Sequence, residues 1–262
     1  MAEITLGDLR LSYRDEGDPE GAPVVFAHAL GSDLRLWDNL IPLLPQSLRL
    51  VRFDLRGHGG SSVPEPPYAM GALVRDAERL MEALALRDAV FVGCSIGGMI
   101  AQGLAVKRLD LVRALVLCNT AAKIGTPELW EDRIDQVRSY GLDSIVDPTM
   151  QRWFAPQVRG ASEALVWRER LAETDPEGYC GCAAAIARTD FYTTTAGLTL
   201  PTLVVAGTED GSTPADLVRE TAGLIKGSRF LLIRGAGHVP SVDRPAELAA
   251  GMTEFLTSIG HV

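Results

Sequence analysis

Six short apolar runs, rich in branched side chains, punctuate the chain: Val24 to Ala27, Leu50 to Phe53, Ala89 to Val92, Ala114 to Leu117, Leu203 to Ala206 and Phe230 to Ile233. None alternates with polar residues, which is the pattern of strands buried on both faces. Between most of them apolar positions recur at helical spacing, over Leu36 to Leu44, Met70 to Leu86, Ile96 to Lys107, Ala215 to Ile225 and Ala246 to Ile259. This alternation predicts an α/β fold with a mostly parallel central sheet flanked by helices. Near the start, Glu3 to Leu6 and Arg10 to Arg14 flank Gly7-Asp8 and predict an antiparallel hairpin at the sheet's edge.

One connection breaks the rhythm. From Asn119 to Leu200 no core strand can be read, although a parallel crossover needs only a dozen or so residues. Helical fragments over Pro127 to Tyr140, Asp143 to Phe154 and Ser162 to Thr174 predict a helical cap inserted after the sixth strand, counting the hairpin. The expected division is a core of residues 1–118 and 196–262 with a cap of residues 119–195. Half of the chain's aromatics fall in the cap, Trp130, Trp153, Trp167 and Tyr179 among them, a density that suits an apolar roof over a substrate.

The candidate chemistry centres on Gly93-Cys94-Ser95-Ile96-Gly97-Gly98, between a predicted strand and a predicted helix. A serine at such a corner is held in a strained backbone with its hydroxyl thrust clear of the sheet, and the helix behind it aims free N–H groups at whatever the hydroxyl attacks. The pattern alone also fits a glycine-rich turn with serine as a helix cap, so partners decide. Among the four histidines, His261 falls in a tail expected to fray, His58 in a polar glycine-rich loop, and His28 at a strand end. His238 follows the last predicted strand through Gly235-Ala236-Gly237, which places it at the carboxyl edge of the sheet, where open parallel sheets bind ligands. Asp210 follows Leu203 to Gly207 at the same edge and is preferred to Glu209. Ser95, Asp210 and His238 thus stand as nucleophile, orienting acid and base, with the N–H groups of Leu30 and Ile96 as oxyanion donors.

Charge and cysteine usage narrow the alternatives. With 25 basic and 34 acidic residues the net charge is -9, the wrong sign for a nucleic-acid footprint. No apolar run approaches membrane-spanning length and the N-terminus carries no signal pattern, so a soluble, cytoplasmic protein with no membrane partner is expected. The four cysteines lack zinc spacing or a disulfide framework and read as buried thiols. Oligomeric state leaves no mark in the sequence.

Over its whole length the chain resembles the α/β-hydrolases. More narrowly it is similar to the 3-oxoadipate enol-lactonases, through Leu117 to Pro127, Trp130 to Ile134, Arg152-Trp153-Phe154 and Thr174 to Tyr179. The resemblance implies a serine hydrolase that opens a small anionic lactone, with the cap recognising the substrate and with no metal and no organic cofactor required. Arg133, one turn after Trp130, could then grip the substrate carboxylate, although an ordinary ion pair with Glu131 or Asp135 is as good a reading of it. Trp153 and Trp130 would line the pocket. Two features depart from the pattern: His28-Ala29 stands where many hydrolases have histidine-glycine, and Thr189 to Thr195 lacks the expected charges. Rival readings are a carboxylesterase or carbon-carbon bond hydrolase, an acyltransferase, and a non-catalytic receptor.

Overall fold

A computed structural model describes residues 1–262. The strands are β1 (Ala2–Leu6), β2 (Leu9–Gly17), β3 (Ala22–Ala27), β4 (Leu48–Phe53), β5 (Ala89–Cys94), β6 (Val112–Cys118), β7 (Thr202–Gly207) and β8 (Arg229–Ile233). They form one sheet in the order β1-β2-β4-β3-β5-β6-β7-β8. The first three in that order pair antiparallel, and every later pair is parallel. Each apolar run of the sequence is a strand, and the hairpin closes at Leu6 and Leu9.

The helices are α1 (Met70–Ala83), α2 (Ile96–Lys107), α3 (Pro127–Tyr140), α4 (Asp143–Trp153), α5 (Ser162–Ala172), α6 (Pro176–Ala187), α7 (Tyr192–Ala196), α8 (Ala215–Leu224), α9 (Pro240–Asp243) and α10 (Pro245–Ser258). Central β5 is buried along its whole length, and α2 lies against β3, β5 and β6. Helix α2 is apolar almost all round, as a helix covered on every side must be. Between β6 and β7, α3 packs on both α4 and α6, and α4 on α5. No helix is long and apolar enough to cross a membrane.

Three expectations are corrected. Leu36 to Leu44 is not an α-helix but two short 3-10 turns, Leu34–Trp37 and Ile41–Leu43, because Pro42 has no N–H to continue the ladder. Phe230 to Ile233 is not buried on both faces: β8 is the sheet's edge, and Leu232 is exposed. His261 is not frayed; its N–H donates to Leu256 and its ring bonds the Pro23 carbonyl, 3.1 Å away. Helix α6 was not read from the sequence, although Asp175 caps it through the Gly178 N–H (2.9 Å) and Pro176 opens it. Its Tyr179 to Ala187 stretch is buried throughout, so no polar face marks a helical period.

Candidate active site

Ser95 sits between β5 and α2 with φ 55° and ψ −118°, a left-handed conformation that L-residues adopt only under constraint. The constraint is packing: a Cβ on Gly97 would lie 2.2 Å from the Ala27 carbonyl oxygen, so only glycine lets helix and strand approach this closely. Hydrogen bonds hold the corner from three sides, with the Ser95 N–H donating to the Cys118 carbonyl (3.0 Å) and the Ser95 carbonyl accepting from Gly98 N–H (2.9 Å) and the Thr120 hydroxyl (2.6 Å). The serine hydroxyl itself is left to the cavity above.

His238 lies on the loop between β8 and α9, buried, with Nδ1 2.9 Å from Oδ2 and 3.0 Å from Oδ1 of Asp210. Because a carboxylate only accepts, Nδ1 carries the proton and Nε2 is left as a bare acceptor. Asp210 is fixed in turn by the N–H groups of Ser212 (2.7 Å) and Thr213 (3.0 Å) and by the Thr213 hydroxyl (2.7 Å). Such a carboxylate cannot swing away from the imidazole. Glu209, the alternative acid, points to the surface and meets only the Thr208 hydroxyl.

Ser95 and His238 line one cavity of about 190 Å³, together with Leu30, Trp130, Arg133 and Trp153. No direct hydrogen bond joins serine to imidazole in this arrangement, a looseness common where no substrate is bound. The Ile96 N–H, first in α2, has no intrahelical acceptor. Neither has the N–H of Leu30 an acceptor in the protein, while its neighbour Gly31 donates to Nε2 of His58 (3.0 Å). His28 braces the same loop, accepting from the Leu55 N–H at Nε2 (2.9 Å) and donating from Nδ1 to the Ala29 carbonyl (2.8 Å). Burial pushes both imidazoles down to about 4, so both are neutral and each presents one donor and one acceptor.

A chain match to a family model now decides the family: residues 24–251 fit the alpha/beta hydrolase family. The chain belongs to that family. This hydrolase is 31% identical, over 246 residues covering 92% of its chain and 91% of the relative, to 3-oxoadipate enol-lactonase 2 of Acinetobacter baylyi. The crystal structure of the enol-lactonase from Burkholderia xenovorans superposes with a TM-score of 0.94 at 32% identity, covering 98% of this chain and 100% of that one. A thermophilic esterase from Thermogutta terrifontis, with malate bound, gives 0.92 at 29% identity and full coverage of both chains. The protein is therefore a serine-type ester or lactone hydrolase.

Of the aromatics between β6 and β7, Trp130, Trp153 and Tyr179 reach the cavity of this hydrolase; Trp167 is buried elsewhere, under Arg170. The roof is cationic as much as apolar. Arg133 forms no ion pair with Glu131 or Asp135; its guanidinium stands over the Trp130 ring, 5.3 Å from the centroid, and beside the Tyr179 hydroxyl. A second cation, Arg152, was not singled out in the sequence. It is half-buried, bonds through its side chain only to the Thr149 hydroxyl (3.1 Å), and is pulled down to about 10 by burial and by Arg133. Its place beside Trp153, in a segment that carries the resemblance to the enol-lactonases, was the available signal.

Proposed function

We propose that this hydrolase opens 3-oxoadipate enol-lactone to 3-oxoadipate, with residues 1–118 and 196–262 as the catalytic core and residues 119–195 as the cap that selects the substrate. The observation that carries the reading is Arg133, a guanidinium without an ion pair, in the same cavity as Ser95 and the His238–Asp210 couple. A net charge of -9 repels an anionic substrate at long range, so a local cation has to hold it. A planar fork over Trp130 suits the acetate carboxylate of the lactone, and Trp153 flanks the ring.

Nε2 of His238 takes the Ser95 proton as the hydroxyl oxygen attacks the ring carbonyl. The N–H groups of Leu30 and Ile96 receive the oxyanion, each worth about 3 kcal/mol of barrier. Asp210 holds the imidazole in its tautomer and stabilises the imidazolium. The ring oxygen then leaves as an enolate, which takes at carbon the proton the imidazolium holds and becomes a ketone, leaving the imidazole neutral. Water, deprotonated by the same imidazole, releases the acyl chain from Ser95. The relatives named as enol-lactonases and the cap segments support the substrate; a carboxylesterase for other small carboxylate-bearing esters is the second reading, favoured by the malate-bound esterase.

The test compares the enol-lactone with the same ring bearing a methyl in place of the acetate. We expect kcat/KM to be higher for the anion by about tenfold to a hundredfold, the worth of one charged hydrogen-bonded pair. Equal rates on both would remove the enol-lactone reading and leave a general esterase.

A further inference from the structure

The cavity holds two guanidinium groups and no acidic residue lines it, since Asp210 is spent on His238 and lies behind the ring. Neither Arg133 nor Arg152 makes an ion pair, in a protein where Arg52, Arg56 and Arg108 each do. Two like charges kept together without a counter-charge repel, and the arrangement costs stability unless a ligand brings negative charge. Nor does the Arg152 side chain hold the fold together, because one neighbour hydroxyl is all it bonds.

The two cations come from different helices. Arg133 projects from α3, over Trp130. Arg152 comes from the last turn of α4, with its guanidinium beside the Thr149 hydroxyl one turn back (3.1 Å), in the lining shared with Ser95 and His238. Hydrolysis of the lactone adds water across the ring ester: the acyl carbon gains the hydroxyl, the ring oxygen becomes the ketone, and the new acid loses its proton. A monoanion becomes a dianion, with the new carboxylate formed at Ser95.

We infer that Arg133 and Arg152 form a two-point subsite for dicarboxylates, whose natural occupant is the reaction's own product. The identity of that product rests on the proposed lactonase reading; the subsite itself rests on the two unpaired cations. The hydrolase therefore binds its product more tightly than its substrate, and the released dianion restrains further turnover.

Isothermal titration of the resting protein tests this without any turnover. The probes are adipate, a six-carbon dicarboxylate with no bond to cleave, and hexanoate, of equal length with one carboxylate. At low ionic strength adipate is expected to bind about tenfold or more tighter, the gain from one further charged pair. In Arg152→Gln the preference should shrink to within about threefold, and Arg152→Lys should restore part of it. Equal affinities for the two acids in the unaltered protein would overturn the subsite, and so would an undiminished preference in a folded Arg152→Gln. Were Arg152→Gln to fail to fold, the unaltered protein and Arg152→Lys still decide. An adipate preference with no enol-lactone turnover sinks the substrate assignment alone, whereas turnover without the preference sinks the subsite alone.

Discussion

The N–H of His238 donates to the main-chain carbonyl of Trp153, the last residue of α4, across 2.7 Å. One residue earlier, the Arg152 carbonyl accepts from Gly211, so the end of α4 grips both the loop carrying His238 and the loop carrying Asp210. These carbonyls are the orphan acceptors that every helix leaves at its C-terminus, and here the two loops satisfy them. The end of α4 and the His238 and Asp210 loops are thereby one hydrogen-bonded unit, and α4 cannot move away without breaking these bonds.

That unit predicts a sensitive glycine. A Cβ on Gly237 would lie 2.0 Å from the Trp153 carbonyl oxygen, so Gly237→Ala must push α4 and the His238 loop apart. We expect kcat to fall about a hundredfold, as misplacement of a reacting group by an ångström does, together with a lower melting temperature. Unchanged kinetics in the purified variant would mean the contact is dispensable.

Asp210→Asn should leave the ring in place but let it adopt the wrong tautomer, since an amide can donate where the carboxylate only accepts. A loss in kcat of about 10⁴-fold is expected, with melting temperature little altered. A decrease of less than tenfold would show that the carboxylate does not orient the base.

Arg133→Gln is expected to lower kcat/KM for the anionic lactone by about tenfold to a hundredfold, mainly through KM, while a neutral ester changes little. Parallel losses on both substrates would make Arg133 a packing residue for Trp130.

The buried imidazoles give the protein an acid-sensitive loop. Each is ordinarily half-protonated near 6.5 but is held near 4 when folded, so between these values the unfolded chain binds the extra protons. Stability is therefore fully present above about pH 6.5 and is lost as pH falls towards 4, on the order of 3 kcal/mol for each ring. Asp243, pushed up to about 6 by burial, acts in the opposite sense over part of the same range and offsets some of the loss. Urea midpoints at pH 7.5, 5.5 and 4.5 should decline in the natural protein and decline less steeply in His58→Gln. Identical slopes would contradict the role given to His58.

The strands and the Ser95 corner were legible because each is written locally: unbroken apolar runs for the first, small residues on either side of a serine for the second. Asp210 and His238 could be placed because each directly follows a core strand, so the sheet's edge brings them together. Helix α6 was hidden because it is buried on every side, and the Leu36 to Leu44 segment misled because its apolar spacing looks helical while Pro42 removes the needed donor. Arg152 was illegible for another reason. Its standing as an unpaired cation depends on which carboxylates stay away from it, and that is settled only when α3, α4 and the Asp210 loop are packed together.

Mass spectrometry of protein mixed with enol-lactone and acid-quenched within the first turnovers tests the covalent mechanism most directly. The account predicts the lactone-derived acyl group on the peptide containing Ser95, and none in Ser95→Ala, whose turnover falls by about 10⁴-fold or more. An unmodified Ser95 peptide in the natural protein, with near-normal turnover in Ser95→Ala, would contradict it.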